Sequence, residues 1–159
     1  TKSAAKALNF QETLLHAELI LSETENLAYI IEISPRGGGG SISSKIIPYI
    51  TNFNSNKFII DSSLGKPIFN LPEANIIFNQ NNYVIMRFLP EHLESFSKIS
   101  IDKPKFSNLI HLELPTSGGK GMPILDSRFR LGYWVIGNSN ISQLIEDERN
   151  MLKSILFLK

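Results

Sequence analysis

The chain has 159 residues, a formal net charge of +1 and 42% hydrophobic residues, and it contains no cysteine. That length buries about 70% of the surface exposed on unfolding, enough for one globular domain. The near-neutral charge argues against nucleic acid as a partner, because phosphate neutralisation needs a basic stripe. The lack of thiols excludes disulfides, thiolate catalysis, cysteine-bound zinc and iron–sulfur clusters, and it suits the cytoplasm or another reducing compartment, such as an organelle stroma or matrix.

Residues 4–23 read as an amphipathic helix, with Leu8, Leu15, Leu19 and Ile20 on its apolar stripe and Ala, Leu and Glu supplying propensity. Residues 27–33, Leu-Ala-Tyr-Ile-Ile-Glu-Ile, change to a β-branched and aromatic run closed by Ser34-Pro35. Gly37 to Gly40 with Ser41 follow, the composition of a man-made flexible linker, and no side chain in the run can pack or react. It is read as an engineered bridge over residues 37–41. Either it spans an excised loop of a single domain 1–159, or it joins a partner peptide (1–36) to a domain (42–159). Five alanines precede it and only Ala74 follows it, which keeps the second option open.

Beyond the glycines, Ser43 or Ser44 caps a short helix running through Ile50, with Pro48 limiting its regularity. Residues 57–61 are an expected strand, and Gly65-Lys66-Pro67 an expected turn. Residues 75–78 and 83–89 form apolar runs around Asn79-Gln80-Asn81-Asn82, the pattern of a hairpin. Pro90 to Glu94 opens a helical turn. Residues 106–114 and 129–137 read as strands, the second containing the only Trp. A final helix starts at Ile141 behind an N-cap at Ser139 or Asn140, with Ile141, Leu144, Ile145, Met151, Leu152, Ile155, Leu156 and Leu158 on its apolar stripe. No run reaches the roughly 18 apolar residues of a membrane span.

This order gives an α+β domain. A central, mostly antiparallel sheet of five or six strands carries the N- and C-terminal helices packed together on one face. The segment Leu131-Gly132-Tyr133-Trp134-Val135-Ile136-Gly137-Asn138 followed by a capped, acidic helix resembles the close of a GAF domain, a sensory relative of the PAS fold, and Gly65-Lys66-Pro67-Ile68 is similar to that family's Gly-x-Pro-apolar segment. The resemblance implies a non-enzymatic sensory or regulatory module of a larger signalling protein. Such a module would bind a small ligand or dimerise through its terminal helices. The bilin-binding and sulfoxide-reducing GAF chemistries both need cysteine and drop out.

Candidate pocket residues are Phe78, Met86, Phe88, His111 and Ile124. Tyr133 and Trp134 point to opposite faces of one strand, so one of them marks an interface with a protein partner or a second copy. Ser117-Gly118-Gly119-Lys120-Gly121 offers an anion-binding loop and the one route to an enzyme, acting on a phosphorylated substrate. Its spacing, however, is not that of a P-loop, and a mobile hairpin loop is the plainer reading. His16, His92 and His111 show no metal spacing, and Glu146, Asp147 and Glu148 are consecutive residues spread around a solvated helix face. No catalytic motif, metal or cofactor is expected.

Overall fold

In a computed structural model of the chain, which describes residues 1–11, 13–66, 82–101 and 106–159, the helix expected over 4–23 is split. Helix α1 covers Lys2–Ala7, and Asn9, at φ 55°, turns the chain out of it. Strand β1 (His16–Ser22) then pairs antiparallel with β2 (Leu27–Ser34) around a turn in which Asn26 has φ 53°. The Leu-rich stripe of 14–21 therefore serves a ladder of cross-strand hydrogen bonds, and tertiary pairing overrides helix propensity. Ser22 Oγ accepts from Glu25 N–H at 3.3 Å, and Tyr29 donates its hydroxyl to Glu25, so the turn closes on its own side chains. Ile31 is an extra residue: Glu18 pairs with Glu32 and Leu19 with Ile30, which leaves a bulge in β2.

The chain divides into two units, Thr1–Ile77 and Phe78–Lys159. In the first, a π-helical turn (Ile42–Ile46) leads into α2 (Ile47–Thr51), so helical structure is present where expected, but the cap is corrected: Ser43 and Ser44 lie inside the π-helical turn, whose N-cap is Ser41. Pro48 sits in the first turn of α2, where a missing N–H costs least. The strand expected over 57–61 is instead helix α3 (Ser55–Ser63). Asn54 caps it by accepting from Lys57 N–H at 2.9 Å, and Lys57 pairs with Asp61 one turn later. These two local devices outweigh the β-branched Ile59-Ile60.

In the second unit, β3 (Tyr83–Phe88), β6 (Tyr133–Asn138) and β5 (Leu109–Glu113) form an antiparallel sheet in the order β3-β6-β5. A separate pair joins β4 (Lys98–Ser100) to β7 (Leu156–Leu158). Helix α4 (Ile141–Lys153) starts where expected, with Asn140 Oδ1 accepting from Gln143 N–H at 3.0 Å. It ends before Leu156–Leu158, which joins β4 rather than the helix stripe. Residues 90–94 form no helix, and the strand expected from 129 begins only at Tyr133, after a 3-10 turn (Ser127–Phe129). The core gathers Leu89, Phe96, Trp134, Ile136, Leu144 and Met151 between the sheet and α4.

The class is thus α+β with antiparallel pairing throughout the described strands. The expected central sheet of five or six strands is corrected to one three-stranded and two two-stranded sheets among the described residues. Helix α1 belongs to the first unit and α4 to the second, where α4 packs on its own unit's sheet. The end of the turn expected at Gly65-Lys66-Pro67, the run expected at 75–78 and most of the 79–82 loop lie outside the described residues. No helix among the described residues is long and apolar enough to cross a membrane.

Candidate functional site

The β1–β2 pairing brings two carboxylates face to face. Glu18 and Glu32 are register partners, and His16 pairs with Ser34 two residues along, so all four side chains share one face of the hairpin. His16 Nε2 lies 3.2 Å from Glu18 Oε1, and Ser34 Oγ donates to Glu32 Oε1 at 2.8 Å. Arg36, just beyond the strand, approaches Glu32 Oε1 at 3.6 Å and donates to the Gly37 carbonyl at 3.1 Å. Like charges directly opposed across strands repel, and here each is only partly compensated by its neighbours. The two side chains are 57% and 48% exposed, so water, ions or a ligand can reach both.

The glycine run leaves β2 as a packed turn. A Cβ on Gly37 would overlap Ser43 Oγ, and one on Gly38 would sit 2.9 Å from Ile42 Cγ2 and 3.2 Å from His16 Nδ1. Gly40 and Ser41 both adopt left-handed backbone, at φ 54° and 65°. Ser43 Oγ donates to the Gly38 carbonyl at 3.1 Å, and the buried Ser55 donates its hydroxyl to the Ser43 carbonyl. The run expected to be a featureless tether therefore holds a defined conformation, with Gly37 against Ser43 and Gly38 against the imidazole that contacts Glu18.

Two carboxylates and a serine hydroxyl are hard oxygen donors. That set suits Mg2+ or Mn2+, ions that take one or two protein carboxylates and fill their other positions with phosphate oxygens and water. Among the described residues no group of three or more His, Cys, Asp or Glu side chains is placed to hold a metal. Any cation here would accordingly be shared with a ligand. The Arg36 guanidinium, 55% exposed, supplies positive donors of the kind that bind phosphate.

The residues singled out from sequence lie elsewhere, in the second unit. Met86 and Phe88 on β3 and His111 on β5 share one sheet face, since Met86 and His111 both pair with Val135 and Phe88 pairs with Tyr133. The Tyr133 ring lies 5.8 Å from Phe88 and 5.4 Å from His111, and the Arg130 guanidinium stacks on Phe88 at 3.9 Å. Ile124 is in the loop before the 3-10 turn, its N–H donating to Glu91 Oε1 at 2.8 Å, and Phe78 lies outside the described residues. Trp134 is fully buried in the core and offers no outward surface; Tyr133 is the half-exposed member of the pair. In the loop at 118–121, Gly119 exchanges both backbone hydrogen bonds with Phe96, and Gly121 N–H donates to the Glu94 carbonyl. Those two amides are committed to backbone carbonyls, while Lys120 is exposed.

Sequence reasoning passed over Glu18, Glu32, Ser34 and Arg36. A helix over 4–23 gives Glu18 no link to Glu32, and a tether reading gives the glycines after Pro35-Arg36 no part in a site. The available signal was an apolar strand ending in Glu-Ile-Ser-Pro-Arg-Gly-Gly, a carboxylate two residues from the strand exit followed by a tight glycine turn.

No protein-family model matches the sequence, and no curated protein matches it. Solved structures do match in fold. Phosphoribosylglycinamide synthetase from Anaerococcus prevotii superposes with a TM-score of 0.77 at 17% identity, over 99% of this chain and 40% of its own. L-Amino acid ligase from Bacillus licheniformis gives 0.76 at 16% identity, over 98% and 40%. N5-carboxyaminoimidazole ribonucleotide synthetase from Thermotoga maritima gives 0.63 at 14%, over 99% and 40%. The chain thus spans about 40% of the length of each ligase it resembles. All three are ligases of the ATP-grasp fold. The GAF resemblance is corrected by this match: short apolar strands, turn glycines and a capped closing helix occur in both folds, and only their arrangement in space separates them. The expectations of a non-enzymatic module and of a sensory and signalling role fall with it, because the fold is one used by enzymes.

Proposed function

We propose that this chain is part of an ATP-grasp-type ligase, and that β1, β2 and the glycine turn form its site for a nucleotide and a divalent cation. The observation that carries the reading is the Glu18–Glu32 pair, opposed across the hairpin beside the Gly37–Gly38 turn, in a fold shared with three ligases. Glu18 and Glu32 would hold the cation, with Ser34 Oγ orienting Glu32 and His16 orienting Glu18. Arg36 is placed to donate to a phosphate, and the side-chain-free Gly39, with open space around it, lets a ligand approach the backbone. A bound Mg2+ would supply neutralisation of phosphate charge during phosphoryl transfer. The reaction class is ATP-dependent ligation, and the cysteine-free composition suits a reducing compartment such as the cytoplasm.

Calorimetry on the complete natural protein tests this. Glu18→Gln and Glu32→Gln each lower the affinity for ATP with Mn2+ by about 10–100-fold. Neither change lowers the melting temperature, because each relieves a like-charge pair. A double variant that binds as tightly as the parent refutes the assignment.

A further inference from the structure

The carbonyls of the glycine turn are tied back while its amides are not. The Gly37 carbonyl accepts from the Arg36 guanidinium at 3.1 Å, that of Gly38 from Ser43 Oγ at 3.1 Å, and that of Gly39 from Ile42 N–H at 3.0 Å. Among the described residues, nothing accepts from the N–H groups of Gly37, Gly38, Gly39 or Gly40. Ser43 is the hub of this arrangement. Its Oγ fills the space that a side chain on Gly37 would need, and its N–H also reaches the Gly38 carbonyl, at 3.4 Å. The residue is buried within the π-helical turn, where Ile46 N–H donates to the Ser41 carbonyl and Ile47 N–H to that of Ile42. The same step carried to the Ser43 carbonyl falls on Pro48, which has no N–H. The Ser55 hydroxyl, at the start of α3, donates in its place. A line of hydrogen bonds thus runs from α3 through Ser43 to Gly38, beside the imidazole that contacts Glu18.

We propose that Ser43 is a positioning residue for the nucleotide site: its hydroxyl, backed by Ser55, fixes Gly38 so that the free N–H groups of the glycine turn stand ready to donate to a ligand phosphate. The inference rests on the nucleotide reading of β1, β2 and the turn. Successive backbone N–H groups bind an anion when the chain around them is held in one turn conformation. Glycine loses more backbone freedom on ordering than any other residue, so an unheld run of four would bind phosphate poorly. Ser43 orders the run in the free protein, and the ligand then meets amides that are already set. Single π-helical turns are rare and occur frequently at functional sites, and this one places Ser43 directly behind the glycines. Ser43 itself touches no ligand atom in this arrangement; it acts through Gly38.

The test titrates Mg2+ and ATP into the complete natural protein carrying isotope-labelled glycine, followed by nuclear magnetic resonance and by calorimetry. In the parent, amide protons of the turn are expected to shift downfield on binding. Ser43→Ala is expected to weaken binding about 5–10-fold, the effect of one lost hydrogen bond, and to remove most of that shift. Ser43→Thr, which keeps the hydroxyl, is expected to restore both. Weaker binding with the downfield shifts intact would make the role of Ser43 purely structural and overturn the proposal. Parent-like binding by Ser43→Ala, in a protein whose affinity Glu18→Gln and Glu32→Gln do lower, would overturn it while leaving the nucleotide reading in place. A parent that binds no nucleotide, or binds one regardless of the two glutamates, removes that reading and this inference together. Should Ser43→Ala not fold, Ser55→Ala carries the same expectations.

Discussion

Gly38 and Gly39 are neighbours in sequence with opposite surroundings. An added Cβ at Gly38 meets Ile42 and the His16 ring, whereas at Gly39 it meets nothing within 4 Å. Gly38→Ala is therefore expected to cost about 1–3 kcal/mol through overpacking. Gly39→Ala, by contrast, should stay within about 0.5 kcal/mol. Chemical denaturation of the two variants checks this, and a run behaving as a plain tether would make them indistinguishable. Asp61 gives a second residue-scale test. Its carboxyl is held below the usual carboxylate range by the hydrogen bond from Lys57 and then by that from Lys66. A depressed folded pKa contributes stability that is present above the unfolded value of about 3.9 and lost as pH falls through the folded value. Amide protection factors in α3, corrected for the intrinsic pH dependence of exchange, are thus expected to fall below about pH 4, and Asp61→Asn to remove that fall. Both lysines are largely exposed, so raised salt weakens the effect.

At the scale of elements, α4 shows what a local signal can specify. Asn140 caps it, Leu144 and Met151 are buried, and Asn108 Nδ2 donates to Asp147 at 2.8 Å, tying the helix to the entry of β5. Asn140→Ala is expected to lower stability by about 1 kcal/mol, read as a shift in denaturation midpoint at constant slope. This helix was legible because cap, period and apolar stripe agree over 13 residues. So were β2, β3, β5 and β6, whose apolar runs carry β-branched or aromatic residues. The reading failed where period and propensity disagreed. Leu14 to Leu21 contains helix formers, yet β2 supplies the edge it pairs with. Lys57 to Asp61 contains β-branched residues, yet the Asn54 cap and a one-turn ion pair make it helix. The site itself was illegible for the same cause. Glu18 and Glu32 are separated by the hairpin turn, and only correct pairing of β1 with β2 puts them opposite each other.

For the whole molecule, the two units divide the observations. The second unit is a well-covered sheet and helix around Trp134. The first carries the opposed carboxylates, the packed glycine turn and the exposed apolar half-hairpin. The proposed ligase reading would account for the first two of these features: the carboxylates would hold a cation and the turn would admit phosphate. The most direct measurement is anomalous diffraction from crystals of the complete protein grown with Mn2+ and a non-hydrolysable ATP analogue. The account predicts a manganese peak about 2.1–2.3 Å from carboxylate oxygens of both Glu18 and Glu32, with the analogue's phosphates facing Arg36. A manganese-bound nucleotide located on other residues, with these two glutamates unligated, would contradict it.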